Sequence, residues 1–166
     1  VGFYDTAFKI ATASAMILMA VNAIQGPTFA EYHSQNDLSK LRRSIYSSTR
    51  LLFYATLPFT IIIIAFPGWI LSLFGPEFPQ ADTALIILVI GNFISSITGS
   101  VGILLQMTGH QRQCNKIIIT AAITSIGLNI FLVPKMGITG AAIASTVAKI
   151  IQNLAGSFYV YKKFGF

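Results

Sequence analysis

Residues 117–134 read IIITAAITSIGLNIFLVP, and residues 136–161 continue MGITGAAIASTVAKIIQNLAGSFYVY. The first stretch is eighteen residues without a charge, and the second holds a single one, Lys149. About 20 apolar residues wound as a helix cross ~30 Å of hydrocarbon. The pair therefore reads as two membrane spans closed off from each other by Pro134-Lys135-Met136-Gly137. Three more charge-free stretches, 10–30, 51–76 and 83–111, precede them. The β-branched runs at 61–64 and 117–120 are also compatible with strands. They lie inside blocks far longer than the ~10-residue alternating segments of a membrane barrel, which favours helices. The expected fold is all-α and integral to the membrane, a bundle of five transmembrane helices in one domain over 1–166. Their expected bounds are about 4–32, 47–74, 81–108, 114–133 and 139–162.

Composition supports the same reading. Hydrophobic residues make up 54% of the chain and charged residues 10%, against about a quarter charged in soluble domains. Mean hydropathy is +0.72. A net charge of +6 raises the question of nucleic acid, but the cations flank apolar blocks, as positive-inside sorting requires. The expected partner is the lipid bilayer, with no nucleic acid. Cys114 is the one cysteine, which excludes an internal disulfide and a cysteine metal cluster. The chain opens without Met, shows no signal peptide and has an odd number of spans, which suggests a segment of a longer protein.

The lysines and arginines gather at alternate junctions. Lys40, Arg42, Arg43 and Arg50 follow the first span, Arg112 and Lys116 the third, and Lys162 and Lys163 the fifth. The opposite side holds Lys9 and Lys135, beside Asp5, Glu77 and Asp82. Eight cations against two place the N-terminus outside and the C-terminus in the cytoplasm. Between the first two spans lies a polar linker, 31–50, with Asp37 at a helix-capping position. Pro27 marks a kink or the end of the first span's membrane part, and Pro58 and Pro67 are expected kinks in the second. Gly75-Pro76-Glu77-Phe78-Pro79 reads as a turn. His33 and His110 fall in cytoplasmic loops and are expected in solvent. Tyr32, Tyr46, Tyr159, Tyr161 and Trp69 suit the membrane interface.

At 100° per residue, Ser145, Lys149, Gln152, Asn153 and Gly156 share one side of the fifth helix, opposite Ile143, Val147, Ile150, Ile151 and Leu154. Gly137, Gly140, Ala144 and Ala148 supply the small residues that let helix backbones approach closely. The third helix repeats the pattern with Asn92, Ser95, Ser96, Gly99 and Gln106 on one arc. In the first helix, Asn22 shares an arc with Ala7, Ala11, Ala15 and Gly26. Asn92, Ser95 and Ser96 fit either interhelical hydrogen bonding or the lining of a solvated cavity. A lysine near the bilayer centre costs about 2.5–3.5 kcal/mol on insertion scales and marks a pathway or a pair. Lys149 has no carboxylate in any apolar block. Three readings stay open for it: facing a cavity, pairing with a further part of the protein, or snorkelling. The substrate-cavity candidates are thus Lys149, Gln152, Asn153, Ser145, Asn92, Ser95, Ser96, Gln106 and Asn22. No nucleophile–base pair, phosphate loop or metal-ligand cluster is present. Neither catalysis nor a cofactor is expected.

Several words resemble a known family. They are Val1-Gly-Phe-Tyr4 with Ala7 and Pro27, and Leu57-Pro58 in a span ending Leu73-Phe74-Gly75. The most specific is Leu128-Asn129-Ile-Phe-Leu-Val-Pro134-Lys-Met-Gly137-Ile-Thr-Gly140-Ala-Ala-Ile-Ala144. Together they resemble the C-terminal lobe of polysaccharide, O-antigen-type flippases of the multidrug/oligosaccharidyl-lipid/polysaccharide exporter superfamily. The resemblance implies most of one six-helix lobe of a two-lobe MATE-like transporter working by alternating access. It implies an N-terminal lobe as partner and a bacterial inner-membrane location. It also implies an undecaprenyl-pyrophosphate-linked oligosaccharide as substrate, with Lys149 as phosphate counter-charge. Cation-coupled multidrug efflux and a non-transporting scaffold subunit are the alternatives.

Overall fold

A computed structural model describes residues 2–75 and 81–165, and among these every regular element is helical. The elements are α1 (Gly2–Ser34), α2 (Leu38–Ala65), α3 (Pro67–Ser72), α4 (Asp82–Ile97), α5 (Val101–Met107) and α6 (Gln111–Phe164). Five spans result: α1, α2, the bent pair α4–α5, and the two arms of α6 before and after Gly137. Large apolar side chains such as Ile61, Ile123, Ile130, Phe131 and Phe158 are more than half exposed. Lipid, not water, is the solvent they suit.

The first two helices overrun the apolar blocks. Asn36 adopts a left-handed backbone (φ 54), and Asp37 then caps α2 by accepting from the Lys40 backbone N–H at 3.0 Å. The Ser39 hydroxyl and the Lys40 ammonium also reach this carboxylate, at 2.6 and 3.0 Å. Those donors hold Asp37 well below the usual carboxylate range, the Ser39 bond foremost. Lys40, Arg42 and Arg43 therefore stand on a helix, which begins well before the expected residue 47 and takes in most of the polar linker expected from hydropathy. Hydropathy locates hydrocarbon, whereas Lys, Leu and Arg are good helix formers in any solvent.

Proline acts unevenly. α1 continues through Pro27, and its 41° bend separates Asp5–Ala13 from Ala15–Ser34. α2 also continues through Pro58. Pro67 ends it, so the second helix stops at Ala65 and does not run to residue 74. The pyrrolidine ring crowds the preceding residue out of the helical region, and Phe66 sits at φ −132, ψ 48. Pro67 then opens α3, where its missing N–H costs nothing. The expected turn at residues 75–79 lies mostly outside the described residues.

Glycine makes the two remaining breaks. The expected continuous third helix is two helices, α4 and α5, bent by 46° across residues 98–100. Gly99 has φ +76, and a Cβ there would stand 2.5 Å from Thr49 Oγ1 of α2. The expected loop between the last two helices contracts to Gly137 alone, at φ 56, ψ −128. Residues carrying a Cβ rarely adopt that backbone. The arms of α6 fold back on each other. Ile118, Ala121 and Ser125 of the first share a cleft with Ser145, Ala148 and Gln152 of the second.

Hydrogen bonds and close approaches run in step along α1, α4–α5 and the second arm of α6: Ala11 with Asn92, Gly26 with Met107, Asn92 with Lys149, Val101 with Gly156. The three are parallel, and α2 runs against them. Two apolar clusters close the bundle. One gathers Ala7, Ile63, Leu85, Val89 and Ala142. The other gathers Phe29, Leu41, Leu104, Leu105 and Val160. A polar layer lies between them.

A Cβ at Gly140 would overlap the Leu132 carbonyl and come within 3.1 Å of the Val133 nitrogen. Gly140→Val should therefore force the arms of α6 apart and cost about 1–3 kcal/mol, the scale of overpacking. Gly127→Ala, inside the first arm of α6 with nothing within 4 Å, should cost nothing and stabilise by up to about 1 kcal/mol. Thermal unfolding of the purified protein in detergent measures both, and equal effects would count against the hairpin packing.

Candidate functional site

The polar layer is built around Asn92 on α4, which is 8% exposed. Its amide nitrogen donates to the Ala11 carbonyl of α1 at 2.7 Å, and its amide oxygen accepts from Lys149 Nζ of α6 at 2.5 Å. One side chain thus joins three helices. One turn further, Asn153 Nδ2 donates to Ser95 Oγ at 2.8 Å and to the Lys149 carbonyl at 2.9 Å. Ser95 and Ser96 return their hydroxyl protons to Gly91 and Asn92 carbonyls of their own helix. Each such bond satisfies a group that hydrocarbon would leave orphaned.

These residues wall a cleft of about 180 Å³ lined by Ala15, Leu18, Asn92, Ser95, Ser96, Lys149, Gln152 and Asn153. That is room for several waters at ~30 Å³ each. Lys149 has three donors, and the structure shows one bond for it, to Asn92. No ion pair to Lys149 occurs among the described residues. The half-buried ammonium therefore borders the cleft with donor capacity to spare.

Of the nine cavity candidates, Lys149, Gln152, Asn153, Asn92, Ser95 and Ser96 come together here. Ser145 faces a second cleft, of about 250 Å³ between the α6 arms, which Lys149 and Gln152 also border. Gln106 does not join them. It is exposed and its amide points at Cys114 Sγ, 3.9 Å away, because the bend at Gly99 turns α5 off the arc that α4 follows. Asn22 is also absent from the cleft lining, and its amide oxygen is buried with no partner among the described residues. Of the expected packing residues, Gly140, Ala144 and Ala148 are buried. His33 and His110 are half-buried and not free in solvent, each edge-on to Phe164 at the α6 end.

Thr146 escaped the sequence reading. Its hydroxyl donates to the Ile87 carbonyl at 3.1 Å, and a Cβ at Gly91 would stand 2.8 Å from it. Thr146, Lys149 and Asn153 lie at i, i+3 and i+7, one face of a helix. That spacing was available as a signal.

Residues 1–134 match the MatE family. The chain belongs to this family. Its matches include two proteins of Haloferax volcanii, "Probable low-salt glycan biosynthesis flippase Agl15" and "Probable flippase AglR". Identity is 24% over 161 residues to the first, covering 96% of this chain and 34% of the relative. It is 24% over 160 residues to the second, covering 93% and 33%. "Putative O-antigen transporter" of Shigella flexneri is 26% identical over 157 residues, 92% of this chain and 38% of that protein. This MatE chain spans about a third of the length of the curated relatives it matches. No solved structure gives a significant match. The MatE chain is a multi-pass membrane protein, and its relatives are named as flippases and a transporter.

Asn92→Leu removes both interhelical bonds and strips Lys149 of its oxygen, so it should destabilise the bundle by about 1–3 kcal/mol. Ser96→Ala deletes only a bond within α4 and should cost under ~0.5 kcal/mol. Thermal midpoints in detergent rank the two, and an inverted order would refute the bridging role of Asn92.

Proposed function

We propose that this chain is the C-terminal-lobe part of a flippase that carries polyprenyl-diphosphate-linked oligosaccharide, the undecaprenyl form in bacteria, across the membrane. The observation that carries this reading is Lys149, an ammonium beside a polar cleft at mid-bundle with no carboxylate on it among the described residues. A cation so placed is costly and suits an anionic ligand that arrives and leaves. A diphosphate would accept from the donors that Asn92 leaves unused, with charge assistance. Gln152, Asn153 and Ser95 offer neutral polar contacts for the sugar or for water.

Alternating access fits the helix breaks. Gly99 and Gly137 divide spans into segments that can rotate against one another with little backbone strain. The second lobe, facing the cleft, belongs to the same proposal. So does the bacterial inner-membrane orientation, with the N-terminus of α1 outside and the α6 end cytoplasmic. Cation-coupled drug efflux would favour an acidic group within the spans. Among the described residues Asp5, Glu31, Asp37 and Asp82 all sit at helix ends or between helices. A scaffold subunit would have no use for a lysine beside a cleft with no carboxylate on it among the described residues.

The test is translocation of lipid-linked oligosaccharide by the intact protein in proteoliposomes. Lys149→Ala should lower the rate about 10–100-fold, the equivalent of a ~1.5–3 kcal/mol charged hydrogen bond. Lys149→Arg should keep most of it. Wild-type flipping by a folded Lys149→Ala protein would sink the counter-charge role.

A further inference from the structure

The Lys149 cleft is walled by α1, α4 and α6, which leaves the cations of α2 without a part in it. They form a second basic feature. Ser39, Arg42, Arg43, Tyr46, Ser47 and Arg50 line a groove of about 530 Å³ along the first turns of α2. Arg43 also borders an adjoining groove of about 370 Å³, which Gln25, Lys40 and Ser44 help to wall. Lys40 is engaged by Asp37, and the Arg42 guanidinium lies 5.6 Å from the Tyr46 ring centre. Arg43 and Arg50 are exposed and have no ion pair among the described residues. They stand two helical turns apart, about 10 Å along the axis.

What continues from these arginines decides the ligand class. Arg43, Ser47, Arg50, Tyr54, Leu57 and Ile61 are spaced by alternating fours and threes, so they follow one face of α2. Along that face the chemistry changes abruptly. Its first two turns are cationic and hydroxyl-bearing. Beyond Arg50 it is apolar and open, with Tyr54 70% and Ile61 56% exposed, and Leu51 beside them at 55%. A soluble phosphate would use only the upper part of this face. A lipid with an anionic head and hydrocarbon chains uses all of it.

We propose that this face of α2 binds an anionic glycerophospholipid of the surrounding bilayer. Arg43 and Arg50 clasp its phosphate, Ser47 between them donates a hydrogen bond, and an acyl chain lies along Tyr54 and Ile61. Guanidinium forks suit phosphate oxygens. A bilayer lipid, present at high local concentration, occupies an outward face more readily than a scarce lipid-linked sugar that must reach the inner cleft. The assignment is independent of what the Lys149 cleft transports.

Native mass spectrometry of the intact detergent-purified protein tests it, with phosphatidylglycerol or phosphatidylcholine added at equal concentration. Phosphatidylglycerol adducts should exceed phosphatidylcholine adducts by about tenfold or more, the factor for ~1.4 kcal/mol. Arg43→Gln with Arg50→Gln, both exposed, should abolish the preference, while Lys162→Gln with Lys163→Gln should preserve it. Equal adducts on the wild-type protein would overturn the proposal, and so would a preference unchanged by the arginine pair. Displacement of the phospholipid by micromolar pyrophosphate would also overturn it, assigning the groove to a diphosphate head.

Discussion

The carboxamide of Asn92 donates in one direction and accepts in the other, and the arrangement of the bundle depends on that duality. Its nitrogen meets the Ala11 carbonyl of α1 and its oxygen meets the Lys149 ammonium of α6. Hydrocarbon gives helices no hydrophobic reason to associate. The rotational setting of three parallel helices has to come from packing and from bonds such as these. A carboxylate at this position would neutralise Lys149 and leave Ala11 without its donor. A leucine would provide neither bond. An amide keeps the lysine in place without a carboxylate on it among the described residues.

That charge makes sense only within the layering around it. Apolar clusters at either end, one around Leu85 and Ala142 and the other around Phe29 and Leu104, confine polar groups to the middle of the bundle. Small residues make the confinement tight. Thr146 packs on Gly91, and Val101 on Gly156, so closely that a Cβ at either glycine would force the neighbour to shift. Close approach brings the lysine to its amide, and the glycine breaks at 99 and 137 let neighbouring segments depart from straight helices. Tight junctions and glycine-broken helices therefore occur side by side in this MatE chain.

Much of this was legible beforehand, for identifiable reasons. Charge-free blocks report on hydrocarbon directly, so the five spans follow from counting. Polar arcs at helical spacing brought Asn92, Ser95, Lys149, Gln152 and Asn153 to one place, because helices rotate little over two turns. The departures have physical causes as well. The arc that would carry Gln106 crosses Gly99, where the helix turns by 46°. Lys40, Arg42 and Arg43 read as linker because hydropathy does not register a helix outside the bilayer. Pro27 and Pro58 leave their helices continuous, while Pro67 breaks one and opens the next. The Asn92–Lys149 bond itself depends on how two helices are rotated against each other, which no single strand of sequence displays.

Solvent access to the polar layer tests the account most directly. In the intact protein with Cys114→Ala, Gln152→Cys and Ile126→Cys can each be offered a charged, membrane-impermeant thiol reagent. Gln152 borders the Lys149 cleft, whereas Ile126 is an apolar side chain 62% exposed and away from that cleft's lining. Reaction at position 152 and none at 126 is the predicted result. An unreactive cysteine at 152 from both sides of the membrane would contradict a solvated cleft around Lys149.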